Sequence, residues 1–246
     1  MRPTFPTPAR RHPWLLLLLA AGPLAAQTPA PGEVRQIVSF RLLPGASAEV
    51  TAIYRDRARP LYLDDEARRS VRVFREVESS VPLDLVVVSA FDGMEGMDRS
   101  NDALRSLATE RGTDMGAIYG DISARAMSHT DEFVEMLPDL GGGDPSGSRL
   151  TAFVRYRLVP GASESFETAL VRISAWERDV EIPSATGRFL LSDGWDYLRV
   201  VGFDSLGDYQ AYLQELRLAR GYDQLVSSTV LRQEILLAAV RNLDVR

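Results

Sequence analysis

Residues 37–47 read IVSFRLLPGAS and residues 153–163 read FVRYRLVPGAS, with seven of the eleven positions identical. Working outward, LVVVSAFD at 85–92 corresponds to YLRVVGFD at 197–204, Arg111-Gly112 to Arg220-Gly221, and Glu132 to Glu234. The offset falls through 116, 112, 109 and 102 while the order is kept. A duplicated unit whose second copy has lost a few loop residues at several places leaves this pattern.

Each copy reads β-α-β-β-α-β. The first strands alternate in character and end at a Pro-Gly turn, and Ser47 and Ser163 are placed to cap the helices that follow. Phe166, Leu170, Ile173 and Trp176 recur at helical spacing, whereas the first copy's helix is expected to break near Pro60 and resume across 61–68. Second strands are expected at 69–77 and 187–191, and third strands at 85–92 and 197–204, ending at Asp92 and Asp204. Leu206, Tyr209, Leu213 and Leu216 then give a helix, and the last strands fall near 126–136 and 229–240.

The fold class is therefore α+β, two ferredoxin-like units in tandem, one over 33–137 and one over 149–246. Residues 138–148 (PDLGGGDPSGS) form a flexible linker between them. In the first strands Val38, Phe40 and Leu42, with Val154, Tyr156 and Leu158, are expected to face the helices. The opposite register, Ile37, Ser39, Arg41 and Phe153, Arg155, Arg157, is mixed. Two such faces packed together make an intramolecular α+β barrel with a partly polar interior.

Residues 1–26 read as a secretory signal peptide: Arg2, Arg10 and Arg11 without an acid, an apolar run over 14–22, and Ala25-Ala26 for cleavage. That run is about half the length that spans a bilayer. Residues 27–32 read as a disordered mature N-terminus, and the product as periplasmic or secreted, with no membrane contact after cleavage. Losing three arginines takes the net charge from −6 to −9, against any nucleic-acid partner. All 28 basic residues are Arg, so a Schiff-base lysine is excluded. The absence of Cys excludes a thiolate nucleophile, disulfide or thiolate metal site. His129 is the single His after residue 26, which excludes a His-rich metal site. Neither a metal site nor a cofactor is expected. Asp64-Asp65-Glu66 and Asp179 with Glu181 lack a Ca²⁺-loop pattern and read as solvated helix ends.

The strand-Pro-Gly starts FRLLPGAS and YRLVPGAS, together with FDSLGDYQAY at 203–212, resemble the dimeric α+β barrel superfamily. That group includes antibiotic-biosynthesis monooxygenase-like and stress-responsive barrel domains. The resemblance covers nearly the whole chain after the signal in two copies, and its motifs are structural turns and packing positions. It implies two sheets facing each other, with small molecules bound between sheet and helices or within the barrel. It also implies a pseudo-dimeric monomer or a homodimer. Some haem proteins of this superfamily are tandem units whose ligand His lies in the C-terminal unit, whereas this chain has no His after 129.

Candidate site residues follow. Arg155 and Arg157 share a strand face, and Arg199 on the neighbouring strand is expected to join them, with Arg41 in the first copy, in holding a carboxylate or enolate. Trp195, Tyr197, Tyr156 and Trp176 cluster in the second copy, Trp195 as a pocket rim and Trp176 as core. His129 is read either as a surface or strand-end His or as a candidate proton-transfer group or haem ligand. Three functions are compatible with these residues. The first is an exported small-molecule-binding or accessory protein without an identifiable catalytic motif. The second is a cofactor-independent monooxygenase or isomerase acting on an aromatic or enolisable substrate. The third is a haem-binding protein through His129.

Overall fold

The computed structural model describes residues 32–79 and 83–245. The expected signal peptide, and all but the last residue of 27–32, lie outside them. Unit 1 runs β1 (Glu33–Leu42), α1 (Ser47–Ile53), a π-helical turn (Tyr54–Ala58), α2 (Arg59–Leu63), β2 (Arg68–Ser79), β3 (Leu85–Asp92), α3 (Gly93–Glu110), α4 (Met115–Ser123) and β4 (Ala126–Leu137). Unit 2 runs β5 (Leu150–Leu158), α5 (Ser163–Asp179), β6 (Ser184–Leu191), β7 (Tyr197–Phe203), α6 (Leu206–Leu216), α7 (Tyr222–Ser227) and β8 (Thr229–Ala239). The duplicated Pro-Gly turn has the same geometry twice, Gly45 at φ +82° and Gly161 at φ +80°, a backbone region in which a side chain is strained.

Pro60 distorts its helix without ending it. It has no N–H to give the carbonyl of Asp56, and its ring crowds that carbonyl, so the preceding turn widens and the Arg59 N–H reaches back to Tyr54 O. The helical chain then stops at Leu63 instead of running to Arg68. Two short helices before the last strands, α4 and α7, are additional to the expected pattern.

The eight strands close into one antiparallel barrel in the order β1-β3-β2-β8-β5-β7-β6-β4, with β4 returning to β1. Two seams join the units, β2 with β8 and β4 with β6, so neither sheet keeps a free edge. Residues 138–148 lie against β6: the Gly142 N–H donates to Ser184 Oγ at 2.7 Å, the Gly143 N–H to Ser184 O at 3.1 Å, and Leu140 is buried.

The period-two reading of β1 and β5 holds. Phe40 and Leu42 pack with Val50, Leu61 and Ile118 under the unit 1 helices, and Val154, Tyr156 and Leu158 with Phe166 and Leu170 under those of unit 2. The opposite faces meet inside the barrel, where Ile37, Phe74, Val86, Val88, Val134, Met136, Phe153, Ala185, Leu198, Val200, Ile235 and Leu237 form a core to which every strand contributes. None of three clefts of about 300 to 990 Å³ found among the described residues is lined by any of these twelve. The interior is a packed core.

Its polar component includes Ser39, Thr151 and a buried ion pair. Register places Glu132 opposite Ile37 and Ile235 opposite Phe153, so Glu132 corresponds to Ile235, and Glu234 to Asp131. This corrects the sequence alignment by one residue, and one residue in a strand exchanges faces. Glu132 points inward and accepts from Arg155 Nη2 at 2.5 Å, and Arg155 Nη1 donates to Gln233 Oε1 at 3.1 Å. Burial, aided by Asp193, outweighs Arg155 and raises the Glu132 carboxyl above its ordinary 4.5, while burial also lowers the Arg155 guanidinium. Just above pH 4.5 the folded chain therefore holds a proton that the unfolded chain has lost, and stability falls as pH rises through that window. In Glu132→Gln this component of the slope, at most about 1.4 kcal/mol per pH unit, disappears. Urea unfolding at several pH values between 4.5 and 6 measures it.

Candidate functional site

The four arginines singled out in the sequence do not converge. Antiparallel partners share a face, and Arg199 is paired with Val154 and Thr186 whereas Arg155 is paired with Leu198. Arg199 therefore lies under the helices, Arg155 inside the barrel, and Arg41 is exposed at the end of β1. Arg157 is exposed beyond the barrel's packed interior, donating from Nε to Gly194 O at 2.6 Å and from Nη2 to Asp193 O at 3.0 Å, with its guanidinium 5.5 Å from the Trp195 ring centre.

Arg199 is 1% exposed and donates through Nη2 to Glu177 Oε1, itself wholly buried on α5. Tyr212 OH donates to the same oxygen at 2.9 Å, and Ser184 Oγ to Oε2 at 2.6 Å. Burial opposes the guanidinium's charge, but the Glu177 carboxylate outweighs it and the Arg199 pKa is raised. Every partner is internal, so this network holds the helices to the sheet. Tyr197 is likewise engaged, donating to Glu167 Oε1 at 2.5 Å. Trp176 stacks on Tyr212 at 5.7 Å as core. In unit 1, Asp65 is buried rather than solvated, accepting from Arg68 Nε at 3.2 Å and from Ser100.

His129 stands on the outer wall of β4, half exposed, with its ring 6.0 Å from that of Phe40 and Nε2 3.6 Å from Asp131 Oδ2. Its counterpart by register is Arg232, since each lies opposite the aromatic of the first strand, Phe40 or Tyr156.

A cleft of about 990 Å³ opens over the β2–β8 seam. Alternation along β2 puts Arg75 on the outer wall with Val71 and Val73, and strand pairing sets it beside Ala238, with Leu150 next across. α1 overhangs one side, where Arg75 Nη2 donates to Thr51 Oγ1 at 3.0 Å. Leu206, at the start of α6, borders the other. Arg149 and Arg241 complete the basic lining, Arg241 Nη2 donating to Gly147 O at 2.8 Å, and Asp204 is the one carboxylate present. Among the described residues no carboxylate forms an ion pair with Arg75, Arg149 or Arg241. Three guanidiniums over an apolar floor can hold a small anion with an apolar body. None of the three was singled out in the sequence, because they come from β2, the residue before β5 and the turn after β8.

No protein-family model matches the sequence, and no curated protein matches it. Solved structures do. An anthrone oxidase-like protein matches at a TM-score of 0.56 with 14% identity, over 87% of this chain and 94% of that one. A chlorite dismutase variant from Candidatus Nitrospira defluvii, in complex with cyanide, matches at 0.58 with 10% identity, over 87% and 94%. A candidate monooxygenase from Fusobacterium nucleatum matches at 0.62 with 7% identity, over 85% and 93%. The chain has the dimeric α+β barrel fold. Both halves of this α+β barrel are present in one chain, and the likeness extends over both.

His129 stands half exposed on the outer wall and lines none of the three clefts, so none of them sets a haem against its imidazole. The helix-covered face of unit 2 is filled by Tyr156, Phe166, Tyr197 and their neighbours, with Tyr156–Phe166 and Phe166–Tyr197 ring centres 5.1 and 4.9 Å apart.

Proposed function

We propose that the protein is an exported binder of small organic molecules, a pseudo-dimeric monomer whose site is the cleft over the β2–β8 seam. The observation that carries this reading is the contrast between a packed barrel interior and an outer cleft of about 990 Å³ with an apolar floor and guanidiniums that form no ion pair among the described residues. That size is at the upper end of small-molecule sites.

The oxygenase or isomerase reading is supported by the names of two neighbours and by a second groove of about 510 Å³ between α3 and α4, lined by Leu104, Met115 and Tyr119. It needs a proton acceptor, and the one carboxylate lining the groove, Asp114, is engaged in capping α4, where it accepts from the Gly116 N–H at 2.9 Å. Tyr119 is hydrogen-bonded at 3.0 Å to Tyr62, whose hydroxyl is pushed well above its ordinary value by burial. Tyr62, buried behind the groove, would need the opposite shift to act as a general base near neutral pH. Binding without chemistry is therefore the better account of the residues present.

Native mass spectrometry of the protein recovered from the exported fraction tests the reading. The expected species has the mass of residues 27–246 and carries a reproducible small-molecule adduct. A membrane-retained species of full mass would overturn export, and a bare mass that no small molecule shifts would overturn binding.

A further inference from the structure

We propose that the cleft over the β2–β8 seam selects ligands bearing a carboxylate, which takes the place of the Glu167 carboxylate that pairs with the equivalent arginine at the duplicated seam. This rests on the binding function proposed above and names its ligand class.

The two seams can be compared residue by residue through the strand register. Across β4–β6 the outer row is Phe91, Val34, Glu135, Arg188. Across β2–β8 it is Phe203, Leu150, Ala238, Arg75. Arg75 is thus the counterpart of Arg188, and Ala238 that of Glu135. The helix over each arginine starts at a duplicated serine, Ser163 or Ser47, and four residues on stands Glu167 or Thr51. The contact itself is duplicated: Arg188 Nη2 reaches Glu167 Oε1 at 2.6 Å, and Arg75 Nη2 reaches Thr51 Oγ1 at 3.0 Å.

The arginine is kept and both acids are gone. The residue preceding Val34 is Glu33, and the one preceding Leu150 is Arg149, which turns a third acid into a cation. Asp92 and Asp204 are the acid the two seams share, so the cleft keeps one carboxylate at its rim, with Arg241 added on the other side. At one seam an arginine is neutralised internally. At the other its counterpart lacks an internal counter-ion among the described residues, beside a second guanidinium, in a chain of net charge −6. The floor is made by Leu150, Ala238 and Val240, so the ligand combines a carboxylate for bidentate Arg contacts with a small apolar or aromatic body.

Isothermal titration with benzoate, hexanoate, and their neutral amides benzamide and hexanamide tests this. An acid is expected to bind about tenfold or more tightly than its amide, as loss of a charge-assisted contact implies. Arg75→Ala should lower acid affinity by a similar factor. So should Ala238→Glu, which restores the acid that the β4–β6 seam already accommodates and so is expected to fold. Arg188→Ala, at the other seam, should leave affinity within about twofold. Equal binding of acid and amide would overturn carboxylate selection while leaving the binding function standing. Acid binding untouched by Arg75→Ala and Ala238→Glu would overturn the location. Failure of all four compounds to bind would overturn the carboxylate proposal, with the adduct mass deciding whether binding itself survives.

Discussion

Replacing Glu177 by Leu will destabilise the protein by about 3–5 kcal/mol, the range for breaking a buried ion pair from one side. Glu177 is wholly buried and accepts from Arg199, Tyr212 and Ser184 at once. Its removal leaves a guanidinium 1% exposed without a counter-charge, and Arg199 Nε is already without an acceptor. The hydroxyls of Tyr212 and Ser184 lose their acceptor too. Since folded domains are stable by about 5–15 kcal/mol, a large part of the total goes with this one side chain. The double replacement Arg199→Leu with Glu177→Leu removes both charges together and should recover most of the loss, because an apolar pair of similar volume often matches or exceeds a buried ion pair. Urea unfolding of the three variants measures this. A single variant that loses under about 1 kcal/mol would mean that the network is looser than its geometry.

Phe153→Ala will cost a similar amount, about 3–5 kcal/mol, for a different reason. Phe153 is 3% exposed inside the barrel, its ring edge-on to Phe74 of the other unit at 5.7 Å between centres. The loss combines transfer of an aromatic ring with a cavity among strands that hold one another in a closed ring and cannot collapse onto it. Because this core is built from both units, the variant should still unfold in a single transition at lower denaturant concentration. Two separated transitions would mean that the units are stable independently and that the barrel interior couples them little.

The parts of this fold legible in the sequence are those fixed within one strand or turn. The duplicated Pro-Gly turns and the alternation of Val154, Tyr156 and Leu158 needed no knowledge of neighbours. What depended on pairing was harder to read. The sequence places Arg199 on the face of Arg155, whereas its parity is set by Val154 across the ladder, and it pairs Glu132 with Glu234, one residue off the structural counterpart, which hides the inward direction of Glu132. Helix α4 is capped by Asp114, which accepts from the Gly116 N–H at 2.9 Å, and it buries Met115, Ile118 and Ile122. Gly116 and Gly120 lower its propensity and hide that spacing. The candidate site is assembled from residues as far apart as Thr51 and Arg241, so only closure of the barrel brings them together. Part of its signal was nonetheless present: Thr51 and Glu167 stand at matching places after the duplicated serines, and an acid exchanged for a hydroxyl marks where the two copies diverge in charge.

The most direct measurement is a crystal structure of the protein grown with benzoate. The account predicts the carboxylate within hydrogen-bond distance of the Arg75 guanidinium over the β2–β8 seam, and nothing bound at the corresponding position over Glu135 and Arg188. Benzoate inside the barrel, or bound equally at both seams, would contradict it.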